Sequence, residues 1–286
     1  MLFNSHIFML LFLPLLLAGW YFLNWKKKFQ LAQGYLIGMS LWFYAYANLQ
    51  YLWLLLFSCL IGWLLSCLPE KIFSEKGKKV LTGVGCVFHL GLLGYFKYSN
   101  FFLENLNTVF HTDFPMLQIL LPVGISFYTF QIISYYVDVY RGEVAAEHNF
   151  VDFAAYVTMF PQLIAGPIVR FQSVQAELKH REITWEKTGE GAARFVCGLC
   201  KKVLIADSLA PLVSAMQNIS ETAAKTEAVV TTGIRAEGAG IGTLGYWVLA
   251  LAFMLQLYYD FSGYSDMAIG LGKILGFTFP ENFRYP

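Results

Sequence analysis

Long apolar runs alternate with short polar or charged stretches along the first half of the chain. Residues 7–25 are nearly all apolar, and at ~1.5 Å per residue a helix of this length crosses a bilayer. Similar runs follow at residues 31–47, 51–68, 80–96 and 117–140. The pattern predicts successive transmembrane helices, with a tight turn at residues 48–50 and a loop or interfacial helix at residues 97–115.

The basic residues between the predicted transmembrane helices are concentrated on one side of the membrane. Lys26, Lys27 and Lys28 follow the first apolar run, whereas a signal peptide carries its positive charge before that run. The same side receives twelve basic residues, at 26–28, 71, 76, 78, 79, 141, 170, 179, 181 and 187. The other side receives Lys97, Lys225 and Arg235. By the positive-inside rule, we expect a retained first span and an N-terminus outside the cytoplasm.

The second half of the chain is less regular. Residues 150–169 are apolar but interrupted by Pro161, Gln162, Gly166 and Pro167, with basic sequence on both sides, which predicts a re-entrant segment. The remaining predictions are an interfacial helix at 171–191, a partial crossing at 192–216, an outside loop at 217–242 and an inward crossing at 246–259. The fold class is therefore an all-α polytopic membrane protein with about seven to eight transmembrane helices.

Composition agrees with lipid as the main solvent, because 57% of residues are hydrophobic and only 14% are charged. A net charge of +1 argues against a nucleic-acid partner. Cys197 and Cys200 form a lone C-x-x-C pair without a second pair for zinc, so we expect small apolar side chains and no metal site.

Residues 255–286 place polar groups where a lipid-facing helix would stay apolar. Ser262, Asp266, Gly270 and Lys273 recur at helical spacing and form one polar stripe. Because a carboxylate in lipid is disfavoured by a few kcal/mol, the stripe predicts a helix that lines a cavity. A pairing of Asp266 with Lys273 is the structural alternative. Gly272-x-x-x-Gly276 predicts a close helix contact.

A second polar stripe follows Pro122, the expected start of a helix. Its members are Gly124, Tyr128, Gln131, Ser134, Tyr135 and Asp138. Such a stripe suits a cavity wall, but it equally suits hydrogen bonding between packed helices. Asp138 could also pair with Arg141, one turn away. The combined candidates for a tunnel lining are Gln131, Ser134, Asp138, Gln256, Asp260, Ser262, Tyr264, Ser265 and Asp266.

Two further groups could bind an acyl donor. The broken segment contributes Gln162, Gly166, Pro167 and Arg170, and unwound backbone there offers N–H donors to a carbonyl or a phosphate. Lys201 and Lys202, with Arg194 nearby, form a basic cluster that would attract a phosphate-rich donor. The alternatives are a tight hairpin shaped by Gly and Pro, and an anchor for anionic lipid.

Four ordered motifs carry a resemblance that covers residues 120–286. They are LLPVGISFYTFQIISYYVDVYRGE, FPQLIAGPIVRF, GLCKKVLIADSLA, and YYDFSGYSDMAIGLGKILGF followed by ENFRYP. This set resembles the membrane-bound O-acyltransferase family, in particular its bacterial polysaccharide O-acetyltransferases. The resemblance implies transmembrane helices at 1–116 and the first part of the acyltransferase core at 117–286.

The resemblance also implies a chemistry. The expected donor is cytoplasmic acetyl-CoA, with no bound cofactor, and the expected acceptor is an extracytoplasmic polysaccharide reached through a separate partner protein. Alginate is the nearest expected substrate, with peptidoglycan and D-alanyl transfer to teichoic acid as alternatives. A transporter or a non-catalytic remnant is the alternative of another class, since intramembrane carboxylates and broken helices also serve solute paths.

The expected catalytic base is absent from these 286 residues. The family resemblance places that histidine shortly beyond the motif that ends at Pro286, and the histidines of the chain match no such position. They are His6, His89, His111, His148 and His180. We therefore assign no catalytic residue and expect these 286 residues alone to be inactive.

Overall fold

The computed structural model describes residues 1–68, 74–163, 166–167, 169–181, 183–229 and 242–283, which contain helices and no strand. The predicted all-α class is confirmed. The α-helices are α1 Leu13–Trp25, α2 Phe29–Asn48, α3 Leu52–Cys67, α4 Glu75–Leu93, α5 Ser99–Phe110, α6 Ile125–Arg141, α7 Phe150–Thr158, α8 Phe160–Leu163, α9 Phe171–Lys179, α10 Trp185–Cys200, α11 Asp207–Val229 and α12 Thr243–Ile274. Lys71, Arg235 and residues 284–286 lie outside the described residues.

Four stretches of the described chain are long and apolar enough to cross a membrane. They are Phe8–Trp25, Phe29–Cys67, Lys76–Phe110 and Thr243–Leu275. Most of their side chains face outward, as expected for helices that use lipid as solvent. The count of seven to eight crossings, and the division of the chain at residue 116, stay predictions.

The second stretch is two helices rather than one. Asn48 has φ −161° and ψ 87°, which is extended backbone, and a 3-10 turn at Leu49–Tyr51 follows it. The predicted turn at residues 48–50 lies at this break. The α-helix is also replaced by a π-helix at Gly94–Tyr98, immediately before the amphipathic α5, where a loop or interfacial helix is predicted.

Two predicted boundaries are wrong. α6 begins at Ile125, three residues after Pro122, because Gly124 occupies a left-handed conformation with φ 74° that ends the preceding turn. Residues 217–242 are not wholly a loop, because α11 continues helical to Val229. The prediction of a loop rested on the polar composition of that segment. Polar side chains are compatible with a helix, as α11 shows.

α10 and α12 pack with their backbones almost in contact. A Cβ on Gly198 would lie 2.5 Å from the carbonyl oxygen of Gly263, and a Cβ on Gly191 would lie 2.6 Å from that of Gly270. The two pairs are seven residues apart on each helix and run in opposite directions, so the helices are antiparallel. Small residues permit this close approach, which tightens van der Waals contact where lipid gives little hydrophobic driving force.

The core is dominated by aromatic rings contributed by distant parts of the chain. Phe3 stacks on Tyr264 of α12 with ring centroids 4.5 Å apart and also meets Phe43 of α2 and Phe160 of α8. Phe195 of α10 joins the same group through Phe8. This aromatic layer connects the N-terminal helices to α8, α10 and α12, and thereby positions the polar residues on either side of it.

Candidate functional site

Asp266 of α12 is the centre of a charged cluster between α10 and α12. Its Oδ1 accepts from Nε and Nη2 of Arg194 at 2.8 and 2.6 Å, and its Oδ2 accepts from Nζ of Lys201 at 2.6 Å. Lys201 also donates to Oγ of Ser262 at 3.2 Å. The Arg194 Nη2 reaches Glu281 at 2.6 Å. Each oxygen of the Asp266 carboxylate therefore has a cationic partner.

Lys202 forms a second set of ion pairs beside the first. Its Nζ lies 2.7 Å from Oδ1 of Asp260 and 3.0 Å from Oδ1 of Asp207. Asp207 is further linked to Asn4 at 3.5 Å, so the N-terminal segment joins the cluster. Both lysines lie in a π-helix, Lys201–Ala206, and as adjacent residues they point to different partners on α12.

The charges in this cluster compensate one another. Three cations, Arg194, Lys201 and Lys202, face four carboxylates, Asp207, Asp260, Asp266 and Glu281. The lysines thus have no positive charge in excess of their carboxylate partners. Combined with the glycine contacts, the arrangement is well suited to fix α10 against α12 within a low-dielectric environment.

A different polar cluster joins α6 to the broken segment. Gln131 Nε2 donates to the carbonyl of Tyr156 at 2.9 Å, and Gln162 Nε2 donates to the same carbonyl. Tyr156 OH donates to the Val169 carbonyl at 3.1 Å. Ser134 bonds its own helix through the Gln131 carbonyl. Hydrogen bonding between packed elements, the predicted alternative for this stripe, is therefore present.

Gly166 shows why the broken segment turns where it does. A Cβ at this position would overlap the backbone of Pro161 and Gln162, so any other residue would open the hairpin. The helix breaks earlier, at Met159, whose ψ of 115° separates α7 from α8. Pro167 is buried, whereas Arg170 is exposed. The shape of the hairpin thus accounts for Gly166 without a ligand.

Several predicted residues carry buried polar atoms that have no hydrogen-bond partner among the described residues. These atoms are Oδ2 of Asp138, Oε1 of Gln162, Oε1 of Gln256, OH of Tyr264 and Oγ of Ser265. Unsatisfied buried acceptors are unusual in folded proteins and call for a physical reason. Asp138 is 3% exposed and lies where Arg170 attracts it electrostatically. Asp138 and Gln162 therefore each carry a buried acceptor that the described residues leave unpaired.

The hydrogen bonds and ion pairs of the described residues divide the predicted site into two groups. Lys201 and Lys202, predicted to bind a donor, contact Asp260, Ser262 and Asp266, predicted to line a tunnel. Gln131 meets Gln162 through their shared acceptor on Tyr156. Residues predicted to bind the donor are thus in contact with residues predicted to line the tunnel. Whether either group lines a tunnel or binds a donor stays a prediction.

Two pairings considered as structural alternatives, and one predicted helix contact, are not formed. Lys273 pairs with Glu190 at 3.3 Å and not with Asp266, whose oxygens are occupied by Arg194 and Lys201. Arg141 lies 3.8 Å from Glu143 rather than pairing with Asp138. Gly272 packs against the ring of Phe279 and Gly276, with φ 84°, closes the end of α12, so this glycine pair makes a helix terminus instead of a helix contact.

Asp207 and Glu281 of the charged cluster were missed as site residues, whereas Lys201 was predicted and Arg194 was placed with its basic cluster. Arg194 and Lys201 are seven positions apart, two helical turns, and this spacing places them on one face of the same helix. That signal was present in the sequence. Glu281 reaches Arg194 only because the chain turns back after α12, and no local pattern predicts that contact.

The buried histidine has a structural role in the described part of the chain. His89 is fully buried, and its two ring nitrogens lie 3.0 Å and 3.4 Å from the carbonyl oxygens of Gly85 and Ser58. Within the described residues, no group of three or more His, Cys, Asp or Glu is placed to hold a metal ion.

Comparison with known sequences places these clusters in a family. Residues 143–286 match the family model of MBOAT, the membrane-bound O-acyltransferase family. This range includes the charged cluster, the broken segment and the glycine pairs. The chain belongs to the membrane-bound O-acyltransferase family. It is accordingly a membrane protein, as its apolar helices indicate.

Individual family members extend the similarity beyond the matched range. The "Probable alginate O-acetylase AlgI" of Azotobacter vinelandii is 43% identical over 294 residues, covering 100% of this chain and 54% of the relative. The protein of the same description from Pseudomonas aeruginosa is 42% identical, covering 100% and 52%. A "Peptidoglycan O-acetyltransferase" of Helicobacter pylori is 31% identical, covering 100% and 56%. The chain spans about half the length of these relatives.

Proposed function

We propose that the protein acts in the transfer of an acetyl group from cytoplasmic acetyl-CoA to a polysaccharide hydroxyl on the other side of a bacterial inner membrane. The observation that carries this proposal is the similarity of the whole chain to proteins described as alginate O-acetylases. Family membership supports acyl transfer as the reaction class. The N-terminus is proposed to lie outside, from the distribution of basic residues.

The proposed reaction exchanges one acyl bond for another. The acceptor oxygen forms a C–O bond to the acetyl carbonyl, the C–S bond of the thioester breaks, and the thiol of coenzyme A leaves with the hydroxyl proton. The residues described here contribute positioning rather than the base. Asp138 and Gln162 supply buried acceptors beside an interrupted helix, where a hydroxyl or amide of a substrate could be held.

The charged cluster has a supporting role in this proposal. Both oxygens of Asp266 are engaged by Arg194 and Lys201, so its carboxylate is committed to these contacts. It fixes α12 against α10, and the aromatic layer transmits that position to α8 through Tyr264, Phe3 and Phe160. A separate extracytoplasmic protein that accepts the acetyl group is part of the proposal.

The test is acetyl transfer from radiolabelled acetyl-CoA to de-acetylated alginate, measured in membranes from cells expressing the gene. The 286 residues alone should give no label, because the expected base is absent from them. Within a longer protein that supplies this base, we expect label in polysaccharide and a fall of about tenfold or more with Asp138→Asn, because the amide loses one acceptor oxygen. Asp113→Asn is the matched control, since Asp113 is exposed and remote from both clusters.

Peptidoglycan is the second candidate acceptor, favoured by the similarity to the Helicobacter pylori protein. De-O-acetylated peptidoglycan is therefore tested in parallel. Label in peptidoglycan alone would replace alginate as the proposed acceptor. No transfer to either polymer, together with uptake of a labelled solute into vesicles, would contradict acyl transfer and support a transporter.

A further inference from the structure

A cavity separate from both clusters opens where the end of α1 meets the start of α10. Its volume is about 310 Å³, and its walls include Tyr21, Asn24, Trp25, Arg181, Thr184 and Trp185. Tyr21 OH donates to the carbonyl of Ile274 at 3.0 Å and lies 3.0 Å from Oγ1 of Thr188, which fixes one wall. The cavity is thus built from four regions of the chain: α1, the start of α2 at Phe29, the segment between α9 and α10, and α10.

Arg181 is the unusual member of this wall. It is 7% exposed, and its guanidinium lies 4.8 Å from the ring centre of Trp20 and 5.3 Å from that of Phe277. Its Nη2 donates to Oε1 of Gln33 at 2.9 Å. Its Nη1 has no hydrogen-bond partner among the described residues. Arg181 is therefore a buried cation in the wall of the cavity, and its buried Nη1 has no partner among the described residues.

The surroundings only partly balance this charge. Asp152 attracts Arg181 from beyond Gln33, whose Nε2 donates to the carboxylate at 2.6 Å, and Asn149 also donates to that carboxylate. Burial lowers the pKa of Arg181 to about 10, against the opposing attraction of Asp152. Since this pKa remains above neutral pH, the guanidinium is charged at pH 7.

The start of α10 adds a second feature suited to an anion. Thr184 caps this 16-residue helix by accepting from the backbone N–H of Lys187 at 3.2 Å, and the positive end of the helix dipole lies at the cavity. Glu186, in the first turn, opposes this effect but is exposed to solvent. Lys26 follows Trp25, contacts its ring through Nζ, and adds positive charge at the rim.

The side chains at the rim of the cavity indicate from which surroundings a ligand can enter it. Trp25 is 74% exposed and Trp185 is 88% exposed, and Nζ of Lys26 lies 4.8 Å from the ring centre of Trp25. Exposed tryptophans beside lysines are typical of the boundary between lipid and water. The cavity is therefore accessible from the head-group layer and from the aqueous phase.

We propose that this cavity binds a phosphate group, with Arg181 as its buried cationic ligand and the start of α10 as a second source of positive potential. A phosphate offers the several acceptor oxygens and the negative charge that an unpaired guanidinium donor requires. The group could belong to a lipid head group or to a soluble phosphate compound. The inference stands independently of acyl transfer, because the residues involved belong to neither polar cluster.

The test measures ligand binding to the purified protein in nanodiscs, with two probes. One arm adds inorganic phosphate to phosphatidylcholine nanodiscs, and the other includes phosphatidic acid in the bilayer; bound phosphate is counted by native mass spectrometry. We expect retention of at least one probe, and the arm that retains it identifies the source. Arg181→Gln is expected to weaken that binding by about tenfold or more.

Two controls keep the outcome decisive. Arg141→Gln removes an exposed arginine outside the cavity and should bind like wild type. Trp185→Ala should weaken binding by a few-fold without unfolding, because the side chain is exposed, and Trp53→Ala is its matched control on α3. If Arg181→Gln does not fold, Trp185→Ala carries the test. Retention of neither probe, or equal binding by wild type and the folded cavity variants, would overturn the proposal.

Discussion

The two polar clusters differ in how completely their groups are satisfied. Between α10 and α12, both oxygens of Asp266 have cationic partners, and glycine pairs bring the two backbones together. On α6 and α8 respectively, Asp138 and Gln162 each retain an acceptor without a partner among the described residues. A compensated cluster stabilises a helix pair, whereas an uncompensated one remains able to bind something else. The same residue types therefore serve different purposes.

Close backbone packing should contribute most to the stability of the α10–α12 pair. Gly270→Leu places a side chain against the carbonyl oxygen of Gly191 and the backbone of Phe195, which cannot move aside as a side chain can. We expect a loss of more than about 3 kcal/mol of unfolding free energy, above the usual cost of overpacking. Denaturation in mixed micelles measures it. Gly38→Leu on α2, where a Cβ meets open space, should change little, and equal losses would refute the packing argument.

The ion pairs of Asp266 should make the second-largest contribution to the stability of the α10–α12 pair. Asp266→Asn leaves Arg194 and Lys201 without their shared carboxylate. We expect destabilisation of about 2 kcal/mol, below the value for fully buried pairs because both cations are partly solvated. Replacing Lys201 by Met in the same protein should recover part of the loss. Asp260→Asn, at a more exposed carboxylate, is the comparison and should cost less than about 1 kcal/mol.

The surface pair at the end of α12 should contribute least. Lys273 and Glu190 lie 3.3 Å apart, and both side chains are at least one third exposed. Lys273→Gln should therefore change the unfolding free energy by less than about 0.5 kcal/mol. A loss comparable to that of Asp266→Asn would mean that Lys273 reaches the charged cluster in solution.

Local patterns predicted what depends on local structure. The stripe of Ser262, Asp266 and Gly270 is buried as its helical spacing predicts, and the turn near Asn48 falls at the break in the backbone. The partners of these residues were not predictable in the same way. Asp266 meets Arg194 across 72 positions, and the pairing with Lys273, the alternative two turns away on the same helix, is not formed.

The reason is that helical periodicity specifies a face but not the helix that covers it. Seven-residue spacing of Gly191 with Gly198, and of Gly263 with Gly270, was available in the sequence and would have matched the two helices. A helix contact was predicted instead at Gly272 and Gly276, because their spacing matches a common packing motif. The start of α6 was misplaced for a similar reason, since the left-handed Gly124 follows the proline that suggested a helix start.

The most direct test of the contrast compares Asp138→Asn with Asp266→Asn for both folded yield and acetyl transfer per folded molecule, in membranes from cells expressing a longer protein that contains these residues and the expected base. The account predicts that Asp138→Asn folds like wild type but loses about tenfold or more of its transfer, because a ligand-facing acceptor is removed. It predicts that Asp266→Asn lowers the folded yield, while each folded molecule stays within about threefold of wild type, since its carboxylate serves the helix pair. The reverse pattern, with Asp266→Asn folded but inactive and Asp138→Asn unfolded or fully active, would contradict it.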